Sequence, residues 1–228
     1  MIQFSSSAPR DVDFAAQHLS YLLHSQGVSH AYIGSYATDL VGGNCAVPDL
    51  DLLVSRDPAK VRKQLLEDDQ FWLNSQNELL YRGLDSDIGI DLFRGGGDDD
   101  VRLPDVRLVP RSSVDPSNDR KKVQSDCPFL HPSVLLLTKI TPWYCVDEPI
   151  HSPRMQRAMK DFEHIKFILK WLADRRVLID FNAFPQKPKE EHLTILRALN
   201  EASKDVEPLL RAALTPEDYS SIIRRART

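Results

Sequence analysis

The run "PDLDLLV" at 48–54 restricts the fold most, because Asp49 and Asp51 interrupt an otherwise apolar stretch. Alternating polar and apolar residues is strand periodicity, in which residues two apart project to one side. Asp49 and Asp51 therefore leave the strand together, with Leu50 and Leu52 on the opposite, core-facing side. Two neighbouring carboxylates repel unless a cation neutralises them. The plain alternative is an edge strand carrying solvated acids, and the apolar neighbours on both sides speak against it. The stretch "DIGIDLF" at 87–93 repeats the pattern, with Asp91 set between Ile90 and Leu92.

The surrounding chain alternates helix and strand signals. "DVDFAAQHLSYLLHSQ" (11–26) places Phe14, His18 or Leu19, Leu22 and Leu23 at helical spacing, and Gly27 is a C-terminal stop. "VSHAYI" reads as a short strand entering Gly34, and residues 35–41 as the first turns of a helix closed by Gly42 and Gly43. Asp57 and Pro58 cap and open a helix through about Asp68. Residues 70–74, 77–82 and 88–93 read as three further strands. The stretch 94–128 is rich in Gly, Pro, Ser and charge, and reads as loop with one strand near Val106 to Val109. Helical spacing then takes over: one helix from Pro132 to about Pro142, a long one over 153–175, and two more near 188–204 and 215–226. The expectation is an α/β (α+β) chain, with a small mixed sheet and flanking helices over 1–127 and a helical domain over 128–228.

Composition removes several function classes. The 228 residues carry a formal net charge of −4, so no global basic field favours sequence-independent nucleic-acid binding. Arg120, Lys121 and Lys122 form a local basic strip, and "RRART" (224–228) a basic tail. Cys45, Cys127 and Cys145 form neither a disulfide framework nor a zinc pattern, which suits a reducing, cytoplasmic setting. No run is long and apolar enough to span a bilayer, so no membrane role is expected. The N-terminus lacks a secretory pattern. "GGGDDD" (95–100) reads as an exposed acidic turn.

The chemistry suggested by the acids is metal-assisted. Hard carboxylate oxygens suit Mg²⁺, which binds through few carboxylates together with substrate phosphates. Asp91 offers a third carboxylate. Gly34 and Ser35 lie at a strand-to-helix turn, where backbone N–H groups and a hydroxyl can hold phosphate. Lys139 interrupts an apolar helix, and can either pair with Asp161 or reach a triphosphate.

At these residues the sequence resembles the nucleotidyltransferase superfamily typified by polymerase-beta-like enzymes, and within it the AbiEii-type nucleotidyltransferases. The resemblance rests on "GSYA" (34–37), "DLD" (49–51), the strand acid of "IGIDLF", "LLLTK" (135–139), Arg154 and "KDFEHI" (160–165), over roughly residues 28–172. Relatives often carry a basic residue and a Thr where this chain has "NCAVP" (44–48). The resemblance implies transfer of a nucleoside monophosphate from an NTP, ATP included, to an acceptor, with release of pyrophosphate. Asp49 and Asp51 would bind Mg²⁺ or Mn²⁺. Asp91 would bind a second metal ion or serve as base. Gly34 and Ser35 would hold the triphosphate, and Lys139 would neutralise it with help from Arg154, Lys160 and Asp161. RNA, a small molecule and a protein side chain remain open as acceptors. A non-catalytic nucleotide-binding module on the same fold is the rival reading.

Overall fold

A computed structural model describes residues 10–43, 45–97, 102–113, 126–145 and 152–223. They fall into two compact units, drawn from within 1–95, 105–107 and 111–130, and from within 96–104, 108–110 and 131–228. The acidic triplet Asp98–Asp100, the strip Arg120–Lys122 and the tail 224–228 lie outside the described residues.

The first unit opens with α1 (Asp11–Ser25), which ends ahead of Gly27 at φ +67°, a left-handed turn that glycine adopts without steric cost. β1 (His30–Tyr32), α2 (Gly34–Leu40), β2 (Asp49–Val54) and α3 (Pro58–Leu65) follow. The Asp57 carboxylate accepts the Ala59 N–H at 2.9 Å, capping α3 as the sequence predicts. β3 (Phe71–Leu73) and β4 (Leu79–Tyr81) make a hairpin running into β5 (Ile88–Arg94). β6 (Arg111–Ser112) and β7 (Phe129–Leu130) complete the set. Among the described residues these strands form one mixed sheet ordered β3-β4-β5-β2-β1-β7-β6. β2 runs parallel to β5 and β1 to β7; the other pairs are antiparallel.

Burial follows the alternation. Leu50, Leu52, Ile88, Ile90, Leu79 and Phe71 are buried; α1 lies against β2 and β5, and α3 against β5. The buried side of α1 is Val12, Ala15, Ala16, Leu19 and Leu23, whereas Phe14 is 43 % exposed. The core stripe is thus rotated from the one expected through Phe14, with Ala15 and Ala16 fully buried in its place.

Residues 106–109 are a turn, which corrects the strand expected there. The Asp105 carboxylate accepts the backbone N–H of Arg107 at 2.9 Å and also binds its guanidinium. That local bond offers the backbone an alternative to a strand ladder.

The second unit is helical: α4 (Pro132–Tyr144), α5 (Pro153–Arg175), α6 (Lys189–Ala202), α7 (Glu207–Ala213) and α8 (Pro216–Ile223). α4 is buried from Pro132 to Ile140 and packs on α5 and α6; α6 also packs on α8. Pro142 falls near the end of α4, which runs on to Tyr144. α7 was not expected from the sequence; its seven residues are too few to show a helical period.

Candidate active site on the sheet

The register between β2 and β5 builds the site. Asp51 lies directly opposite Asp91, and Asp49 opposite Gly89. Paired residues in a ladder project to the same face, as do residues two apart on one strand. Asp49, Asp51 and Asp91 therefore share one face of the sheet. Paired positions sit about 4.8 Å apart at the backbone. Asp49 and Asp51 are half-buried and Asp91 is exposed. The reverse faces of these strands carry the buried Leu50, Leu52 and Ile90. The sheet thus anchors the acids by burying their neighbours.

Gly34 is fixed at this site for two reasons. Its φ is +65°, in the left-handed region, and a Cβ placed on it would lie 1.9 Å from Asp51 Oδ2. Only glycine lets the start of α2 come this close to the Asp51 carboxylate. The Ile33 N–H donates to the Asp51 carbonyl at 2.9 Å and holds the turn in place. Ser35, the next residue of α2, is half-buried.

The donor set is one of hard carboxylate oxygens, which fits Mg²⁺ or Mn²⁺ in chemical type. Among the described residues no three His, Cys, Asp or Glu side chains are gathered closely enough to form a ready metal-binding cluster. The acids are therefore aligned on one face but not drawn together into a ligand shell.

In the helical unit, Lys139 is buried and its ammonium donates to Asp161 Oδ1 at 3.2 Å. Its Nζ also lies 3.3 Å from Nδ1 of His164. Of the two roles open to Lys139 in the sequence, pairing with Asp161 is present. Burial, then the nearby Lys139 charge, pushes His164 down to about 4, so the imidazole is neutral at pH 7 and can accept from the ammonium. Arg154 and Lys160 are exposed on α5. Lys160 borders a groove of about 430 Å³ lined also by Trp143, Met155 and Phe162.

Two parts of these surroundings escaped the sequence reading. His164 follows Asp161 by three residues, one helical turn, which was a usable signal. Gly89 lies two residues before Asp91, on the same side of β5; a glycine inside a strand often marks close approach or open space.

No protein-family model matches the chain, and no curated protein does. Among solved structures it is similar to an antigenic nucleotidyltransferase-like protein from Paracoccidioides brasiliensis, at 18 % identity and a TM-score of 0.64, over 94 % of this chain and 97 % of that one. Among the described residues, no helix is long and apolar enough to cross a membrane. The chain has a nucleotidyltransferase-like fold: a mixed sheet with flanking helices, followed by C-terminal helices.

Proposed function

We propose that the protein is a metal-dependent nucleotidyltransferase that moves a nucleoside monophosphate from an NTP to an acceptor. One observation carries this reading: Asp51 faces Asp91 across parallel strands, Asp49 shares their side, and Gly34 abuts Asp51. In the reaction the acceptor oxygen or nitrogen bonds the α-phosphorus. The bond to the bridging oxygen breaks, pyrophosphate leaves, and the acceptor proton passes to a base.

Asp49 and Asp51 would hold Mg²⁺ or Mn²⁺, with Asp91 as a further ligand or as the base. Such an ion would neutralise charge on the phosphate oxygens. Gly34 and Ser35 would contact phosphate through the backbone N–H groups and the hydroxyl. Lys139 is assigned to the triphosphate, with Asp161 and His164 fixing its ammonium and with Arg154 and Lys160 adding positive charge. The narrower likeness to AbiEii-type enzymes and a cytoplasmic setting belong to this same proposal.

A second reading, a nucleotide-binding module without catalysis, is favoured by the spacer "NCAVP" (44–48), which stands where relatives often carry a basic residue and a Thr. Incubation with each α-labelled NTP, Mg²⁺ or Mn²⁺ and cell extract separates the two. Transfer of label with pyrophosphate release, reduced by several orders of magnitude in Asp91→Ala, supports the enzyme. Nucleotide binding with no pyrophosphate released from any acceptor pool replaces it with the binding module.

A further inference from the structure

Trp72, Leu80 and Gly89, which continue the row of Asp49 across the sheet, have no part in nucleotide binding as assigned above. Trp72 pairs with Leu80, Leu80 with Gly89, and Gly89 with Asp49. Because register partners share a side, these four positions run in one line across β3, β4, β5 and β2, on the acids' face. The alternate residues Phe71, Leu79, Ile88 and Ile90 are buried, while Trp72, Leu80 and Gly89 are only half-buried. The face carrying the row is therefore the more open one.

Gly89 leaves a gap in the line. Among the described residues, a Cβ built on it meets only the Cβ of Asp49 within 4 Å, at 3.5 Å, an ordinary contact. The backbone there is not one that requires glycine, so among the described residues nothing packed against β5 demands a residue without a side chain. What the glycine provides is space between Asp49 and Leu80, which stand two strand spacings apart, about 9.5 Å. The gap has an acid on one side and an apolar, then aromatic, wall on the other. The Arg82 guanidinium lies over the Trp72 ring at 5.7 Å and places a cation at the far end. Asp91 is two residues along the strand from Gly89, on the same side, about 6.6 Å away at the backbone.

We propose that this row is the acceptor subsite, and that the acceptor is of nucleoside type. Its flat ring lodges over Gly89 against Leu80 and Trp72, and its ribose hydroxyl reaches Asp91. The proposal rests on the transferase reading for the role of Asp91, but not for the binding itself. A flat heterocycle fills a slot one side chain wide, and aromatic walls bind bases without regard to sequence. The distance from Gly89 to Asp91 suits a ring and the hydroxyl of its own sugar. Arg82 favours a ligand with a phosphate or an electron-rich ring at its outer end.

The test is calorimetric titration of the full chain with adenosine and, separately, with a short oligoadenylate RNA, in the presence of Mg²⁺ and a non-hydrolysable NTP analogue. Wild type is expected to bind at least one of the two. Gly89→Leu, which fills the gap, and Trp72→Ala, which removes the wall, should each weaken that binding tenfold or more. Adenosine binding identifies a free nucleoside as sufficient; binding of the oligoadenylate alone identifies an RNA end. The proposal is overturned if wild type binds neither probe, if both variants bind like wild type, or if the NTP analogue excludes the probe. The wild-type melting shift with Mg²⁺ and NTP, measured in parallel, reports the nucleotide reading by itself. Its absence alongside intact nucleoside binding would remove the transfer chemistry and leave the subsite.

Discussion

Gly34 and Lys139 make opposite demands on their surroundings. At Gly34 a side chain would strike the Asp51 carboxylate and force an unfavourable φ. Such a strained residue costs about 1–3 kcal/mol. Gly34→Ala is expected to lower stability by about that amount in denaturant unfolding and to weaken the response to Mg²⁺ and NTP; wild-type behaviour in both assays would show that the contact is dispensable. The sequence marked Gly34 through its place after a strand, but its closeness to Asp51 depends on a pairing between distant segments. Lys139 was marked because lysine seldom stands in an apolar run. Its partners make it structural as well: Lys139→Met leaves Asp161 and His164 without the ammonium, at a cost of about 1–3 kcal/mol. A melting temperature equal to wild type would mean that the pair contributes nothing to the fold. A loss of turnover beyond what the stability loss explains would support the triphosphate role.

Elements were most legible where local chemistry decides them. Asp57 with Pro58 is a start signal in the sequence, and the cap bond is present. Asp57→Ala should therefore cost about 1 kcal/mol, measured by denaturant unfolding, with no effect on nucleotide binding. β2 and β5 were legible for a similar reason, since their alternation is strong and their acids stand out. The turn at 106–109 carries an alternation that imitates a strand, while Asp105 satisfies the backbone locally. β7 is two residues long, and its place beside β1 is set by pairing with Tyr32 rather than by any period of its own. Gly89 is less legible, because a gap has meaning only once the strands on either side are known.

Over the whole molecule, buried imidazoles make stability depend on pH. Burial is the main cause holding His30 and His192 down at about 4, His30 in the sheet unit and His192 in the helical one. An unfolded histidine titrates near 6.5. Between pH 6.5 and 4 the unfolded chain takes up protons that the folded chain refuses, so stability falls as pH falls through this window. The slope is up to about 1.4 kcal/mol per pH unit for each histidine, and it vanishes above about pH 7. Both ring nitrogens of His192 are buried without a hydrogen-bond partner among the described residues, and Phe181 and Phe184 pack against the ring. His192→Phe should thus stabilise the protein at pH 5 more than at pH 8, as read by unfolding curves at the two values. An equal effect at both would mean that His192 titrates as in the unfolded chain.

The central claim is that Asp49 and Asp51 form a metal–nucleotide site, and melting with and without Mg²⁺ and NTP tests it most directly. At a hundredfold excess over Kd, a ligand that binds only the folded state adds about 2.7 kcal/mol. For a chain of this length that corresponds to a rise of about 5–10 °C. Wild type is predicted to show this rise, and the double variant Asp49→Asn with Asp51→Asn to lose it, each rise being read against the same protein's melting temperature without ligand. The same rise in the double variant, or none in wild type with any NTP, would contradict the account.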